Sequence, residues 1–218
     1  MRHIILILTA ILLTASPVAE AAKRGAGWEQ VMTQEGVAVE RKTVPGSPLF
    51  AFRGEGVFDL PIGKLVTVLK AAEIASEWVD LMLEHKVVRV VEPDKNLIYE
   101  SYGLPWPIDD RDYVMYETMG YDAAQKVFTI DYKSVEDTAL PPKKGFVRAV
   151  AFQTYWRLEK ISDTQTKIEV EVHTDPKGAL PAWLINLIQK DWPWKTISGL
   201  VKRAAKPDIQ VDPRVADW

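Results

Sequence analysis

Cysteine is absent from all 218 residues. Disulfides, thiol nucleophiles and thiolate metal sites are thereby excluded, as is a lipid-modified cysteine behind an N-terminal leader. Histidine is scarce, with three copies at positions 3, 85 and 173, so no metal site built on imidazoles is expected. Neither sign of charge dominates: 27 basic residues face 30 acidic ones, for a formal net charge of −3. With no basic block in the chain, nucleic acid is not expected as a partner. Long apolar runs are missing too. The longest, at residues 4–13, falls short of the roughly 20 residues that span a bilayer. What remains is 47% hydrophobic and 10% aromatic, enough for a sizeable core in one domain.

The N-terminus reads as a secretory leader. Arg2 and His3 give a basic start, residues 4–13 an apolar stretch, Ser16-Pro17 a break, and Ala19-Glu20-Ala21 a small-residue cleavage signature. Residues 1–21 are therefore expected to be a signal peptide. The mature chain would be soluble and exported, which in a Gram-negative cell means the periplasm. Residues 22–205 are expected to form the domain, and 206–218 a loosely ordered polar tail.

A short helix is expected over 25–35, since Trp28, Val31 and Met32 share a helical face. Alternation then predicts strands over 37–43 and 49–58, joined at Pro45-Gly46-Ser47-Pro48. Gly54 and Gly56 in the second strand suggest a bulge or a close backbone approach. Two helices are expected over 60–71 and 74–83, the latter bearing Trp78. Period two returns in strands over 87–91, 97–102, 111–119, 127–135, 146–161 and 167–174, with irregular stretches at 104–110 and 136–145. In the last strand Ile168, Val170 and Val172 face one side, and Glu169, Glu171 and His173 the other. Pro181 suits a first helical residue, and behind it Leu184, Leu187, Ile188 and Trp192 form a stripe that Ile197, Leu200, Val201 and Ala204 repeat. Pro193 divides the two halves, so a long, kinked, amphipathic helix is expected over something apolar. Strands segregated from helices give an α+β class with an antiparallel sheet gripping one long C-terminal helix.

Four stretches resemble START domains, the steroidogenic-acute-regulatory-protein-related lipid-transfer family. They are Phe52-Arg53-Gly54-Glu55-Gly56; Leu104-Pro105-Trp106-Pro107 with Arg111-Asp112-Tyr113-Val114; Pro141-Pro142-Lys143-Lys144-Gly145-Phe146-Val147-Arg148; and Asp175-Pro176 with Leu180-Pro181-Ala182-Trp183-Leu184-Ile185-Asn186. The resemblance implies a helix-grip (Bet v 1-like) fold, with a curved antiparallel sheet wrapped around the C-terminal helix. It further implies a deep cavity for one lipid, gated by the loop at 136–145 and by the long helix. Tyr113 matches a ligand-facing position of phosphatidylcholine-binding members. The charged pair those members use for the headgroup is matched here by Ala75 and Val79, which favours a less polar, sterol-like head.

Alternation supplies the candidate wall. Tyr113, Met115 and Glu117 are expected on one strand, and Ile130, then Phe152, Thr154 and Trp156, on others. Val170 and Val172 come from the last strand, and Leu184, Leu187 and Ile188 from the long helix. Glu117 is a carboxylate on an apolar face and needs a partner. Arg111, Asp112 and Arg148 are read as a brace for the connector. Trp192 and Trp194 are candidates for an exposed patch that touches membrane. The expected function is binding and intermembrane transfer of one lipid, sterol-like or phospholipid, by a monomer in transient contact with a membrane. No catalytic residue, metal or cofactor is assigned. Two alternatives stand beside this reading: a cyclase- or hydrolase-like enzyme on the same fold, and a lipid-sensing adaptor. His173 is the only histidine placed beside a cavity strand, and its alternation puts it outside. Loss of turnover in His173→Ala would favour the enzyme.

Overall fold

Period-two alternation from residue 37 onward, with one bulged strand before it, becomes one ten-stranded sheet in the computed structural model, which describes residues 27–218. The expected leader at 1–21 lies outside the described residues. The strands are β1 (Glu29–Gln34), β2 (Val37–Lys42), β3 (Ala51–Phe58), β4 (Met82–Glu92), β5 (Lys95–Tyr102), β6 (Asp110–Asp122), β7 (Val127–Ser134), β8 (Phe146–Arg148), β9 (Val150–Lys160) and β10 (Thr166–Asp175). Their order across the sheet is β1-β2-β3-β10-β9-β7-β6-β5-β4, with β8 set parallel against the start of β6 and all other pairs antiparallel. The helices are α1 (Ile62–Lys70) and α2 (Ala182–Ala204), and a 3-10 turn covers Ala72–Glu77.

One face of the sheet is apolar, and α2 lies across it against β2, β3, β10 and α1. Phe128, Ile130, Leu158, Ile168 and Val170 from the strands meet Leu65 and Val66 from α1, and Ile197 and Leu200 from α2. Each side chain of this size contributes about 1.5–3 kcal/mol on burial. Glycine in β3 permits the approach, because a Cβ on Gly54 would lie 2.8 Å from Pro193 Cβ. The helix runs unbroken through Pro193. Its second half is the buried half, and Ile185 is the only fully buried residue of the turns before Pro193.

Five expectations are corrected. Residues 29–34 form strand β1, not a helix. A bulge between Gln30 and Met32 turns the adjacent Val31 and Met32 both toward the core, which in sequence imitates a helical face. Glu35 and Gly36, both at positive φ, close the β1–β2 hairpin. The helix expected over 74–83 shrinks to the 3-10 turn, and Met82 already belongs to β4. The strand expected over 146–161 breaks at Ala149, whose N–H bonds Asp112 O at 2.9 Å, leaving β8 to extend the sheet at β6. The C-terminal tail is not loose. Ile209 and Val215 are buried in the main core, and Lys70 bonds Asp212 at 2.5 Å. The loop at 136–145 is no cover for an interior. Its Leu140 packs on Leu97, Tyr99 and Val114, the side chains that β5 and β6 turn away from the main core. Asp112 braces this loop by accepting from Arg148 Nε at 2.8 Å and Nη2 at 3.1 Å, while Arg148 Nη1 donates to Leu140 O at 3.1 Å.

Candidate functional site

The sheet and α2 diverge toward the N-terminal half of the helix, and a cavity of about 430 Å³ opens between them. That is within the usual range for small-molecule sites. Trp78, Trp156 and Trp192 close one end, with ring centroids 6.2 Å (Trp78–Trp156) and 6.5 Å (Trp156–Trp192) apart in edge-to-face contact. Ala75 and Val79 also line it, so no charge stands where the 3-10 turn meets the cavity. Leu81, Leu187 and Ile188 line the cavity and are solvent-exposed as well, which places the mouth between the first half of α2 and the segment before β4. Across it Lys195 Nζ donates to Asp80 Oδ2 at 2.9 Å.

Of the expected wall residues, Tyr113, Met115, Thr154, Trp156, Val172, Leu187 and Ile188 line the cavity. The other five do not. Ile130 and Val170 flank Trp156 in register and are buried in the solid core under the second half of α2. Phe152 is 47% exposed on the outer side and stacks on His173 at 4.7 Å. The cause is a bulge: β10 His173 pairs with Gln153 but Thr174 with Ala151, so Phe152 is the extra residue and the strand changes face behind it. Ala151 takes the wall position instead. Leu184 sits one helical step away from the lining row of Ile185, Ile188, Gln189, Trp192 and Thr196. Asn186 sets that rotation by accepting from Phe50 N at 2.9 Å and donating to Pro48 O at 3.1 Å. Glu117 is 3% exposed and lies beyond the cavity, where it accepts from Tyr132 OH at 3.1 Å and Asn96 Nδ2 at 2.7 Å. These bonds offset the desolvation it was expected to suffer.

Two other expectations change. Trp192 lines the cavity, and Trp194 is half-buried against the core, so neither forms an exposed patch. His173 is on the outer side as read, but it is not the only histidine near the interior. His85 of β4 faces the cavity opposite Glu100 of β5. Its Nδ1 lies 2.9 Å from Glu100 Oε1, and Tyr102 OH donates to Glu100 Oε2 at 2.9 Å. Burial disfavours charge on His85, yet the Glu100 hydrogen bond and negative charge outweigh it and raise the imidazole pKa. Burial pushes the phenols of Tyr102, Tyr113 and Tyr132 well up, keeping them neutral donors. Arg111 is spent on backbone: Nε and Nη2 donate to Pro176 O and Lys177 O, each at 3.0 Å, and Nη1 to Asp109 O. It thus holds the connector to the turn before α2, as the brace reading expected. The missed residues were visible in part. Ile98, Glu100 and Tyr102 alternate on one face of β5, but starting β4 at residue 87 hid His85.

Comparison with known proteins agrees with this architecture. The START domain family profile matches residues 12–205. An uncharacterized protein of Pseudomonas aeruginosa is 27% identical over 179 residues, covering 82% of this chain and 87% of that protein. Phosphatidylcholine transfer protein of Bos taurus is 24% identical over 189 residues, covering 83% and 85%. Human START domain-containing protein 10 is 29% identical over 131 residues, and the match spans only 43% of its length. Among solved structures, a STAR-related lipid transfer protein from Xanthomonas axonopodis superposes with a TM-score of 0.73 at 27% identity, covering 83% of this chain and 99% of that one. Human StAR-related lipid transfer protein 5 gives 0.77 at 21% identity, covering 86% and 92%.

Proposed function

The chain belongs to the START domain family, and on that footing we propose that it binds one lipid, sterol-like or phospholipid, in the cavity under α2 and carries it between membranes without chemical turnover. The observation that carries this reading is the apolar cavity itself, with tryptophan and methionine walls that no opposing side chain fills. Burying an acyl chain or ring system there contributes about 0.8 kcal/mol per methylene, so holding the ligand needs no catalytic group. Ala75 and Val79 in the wall support a head less polar than phosphocholine.

The gate is the first half of α2 with the turn before it, latched by Lys195–Asp80, an exposed pair worth about 1 kcal/mol or less. Leu81, Trp183, Leu187 and Ile188, all exposed, suit transient contact of the mouth with a membrane surface. The carrier acts as a monomer in the periplasm, where a leader at residues 1–21 would direct it.

Native mass spectrometry of the purified mature protein, followed by organic extraction, tests this reading. One co-purifying lipid per chain is the expected result. A lipid-free protein that takes up nothing from vesicles would overturn it.

A further inference from the structure

Polar groups of the cavity wall whose capacity the described residues do not use up include Trp78 Nε1, Thr196 Oγ1 and the His85 ring, and of these only the ring is held by a charged partner. His85 Nδ1 faces a carboxylate oxygen, which only accepts, so Nδ1 carries a proton in either charge state of the ring. Nε2 has no partner among the described residues, and the side chain is 7% exposed in a wall that faces the cavity. The neighbouring charges are already engaged. Both Glu100 oxygens accept, from His85 and from Tyr102. Glu117 accepts from Tyr132 and Asn96. Arg111 is held by three backbone carbonyls, Lys195 by Asp80, and Asp191 by Lys190. Among the described lining residues, each carboxylate already has a partner, and the two cations, Arg111 and Lys195, are held by backbone carbonyls and by Asp80.

We infer that His85, positioned by Glu100, receives the polar end of the lipid, and that this end is an uncharged hydroxyl. A hydroxyl both donates and accepts, so it satisfies Nε2 whether the ring is neutral, with Nε2 a lone-pair acceptor, or charged, with Nε2–H a donor. A bare hydrocarbon would leave Nε2 buried and unpaired, at a loss of affinity. This inference rests on the lipid-cavity reading and narrows it to a ligand class.

The test titrates the mature protein with 1-hexadecanol and with hexadecane, each delivered from cyclodextrin and corrected for partition. Wild type should bind the alcohol at least tenfold more tightly. His85→Phe should bind the two equally, the alkane more tightly than wild type does because no buried nitrogen is left unpaired, and His85→Gln, whose amide can donate and accept, should restore part of the preference. Circular dichroism melting establishes that each variant is folded, and the wild-type comparison stands even if one is not. Equal wild-type affinities, or a preference retained in folded His85→Phe, would overturn the subsite while leaving the lipid cavity intact. Binding of neither probe would overturn both.

Discussion

His85 shows how one residue couples the cavity to solution conditions. Its pKa is raised in the fold above the ordinary value of 6.5. Below about 6.5 both folded and unfolded chains hold the proton, and the His85–Glu100 pair contributes in full. As pH rises through the higher folded pKa, that contribution is lost, each tenfold gain in proton affinity on folding being worth about 1.4 kcal/mol. Urea midpoints should therefore fall from pH 6.5 upward in wild type and stay flatter in His85→Gln. An equal slope in both would place the dependence elsewhere. Phe152 carries the opposite lesson. It is bulky, apolar and in phase with Thr154 and Trp156, yet it ends on the outer face beside His173. Nothing in its own chemistry foretold this, because the bulge is a property of the pairing between β9 and β10.

At the scale of elements, α2 has two unlike halves. Beyond Pro193 it is anchored: Thr196, Ile197, Ser198 and Leu200 are buried, and a Cβ on Gly199 would meet Trp78 O at 2.1 Å. Before Pro193 it roofs the cavity and is held by Gln189 to Thr174 at 2.9 Å and by Asn186 to Phe50 and Pro48. Proline lacks the N–H that would bond the carbonyl of Gln189, which loosens the junction between the halves. Pro193→Ala keeps the Cβ that rests on Gly54 and restores that donor. Lipid exchange between vesicles should slow about tenfold, the effect of a barrier higher by about 1.4 kcal/mol, with equilibrium affinity unchanged. Unchanged exchange rates would remove the hinge.

Across the whole molecule, the end of the chain completes the core. Ile209 and Val215 are 6% and 2% exposed, Arg214 pairs with Asp94, and Thr67 Oγ1 donates to Gln210 O at 2.8 Å. The family match ends at residue 205, and the segment beyond it adds to the floor under α1. Deleting 207–218 should cost about 3–6 kcal/mol, from two aliphatic side chains at about 1.5–3 kcal/mol each, read by urea denaturation. A truncated chain as stable as the full one would show the floor to be dispensable.

Local pattern was enough to place the meander of strands, the hairpin around residues 45–48, the glycine approach at Gly54 and the amphipathic C-terminal helix. These follow from side-chain periodicity and turn chemistry, which act within a few residues and are written in the chain. The motifs around Arg111 and Pro181 also carried the family. Tertiary structure alone decided which apolar residues wall a cavity and which fill a core. Ile130 and Trp156 look alike in sequence and are paired in register, and only the path of α2 over them separates their roles. It also decided the faces beyond each bulge, the packing of the tail, and the meeting of His85 with Glu100. All four depend on contacts between segments far apart in the chain, where a single extra residue in one strand reverses every side chain behind it.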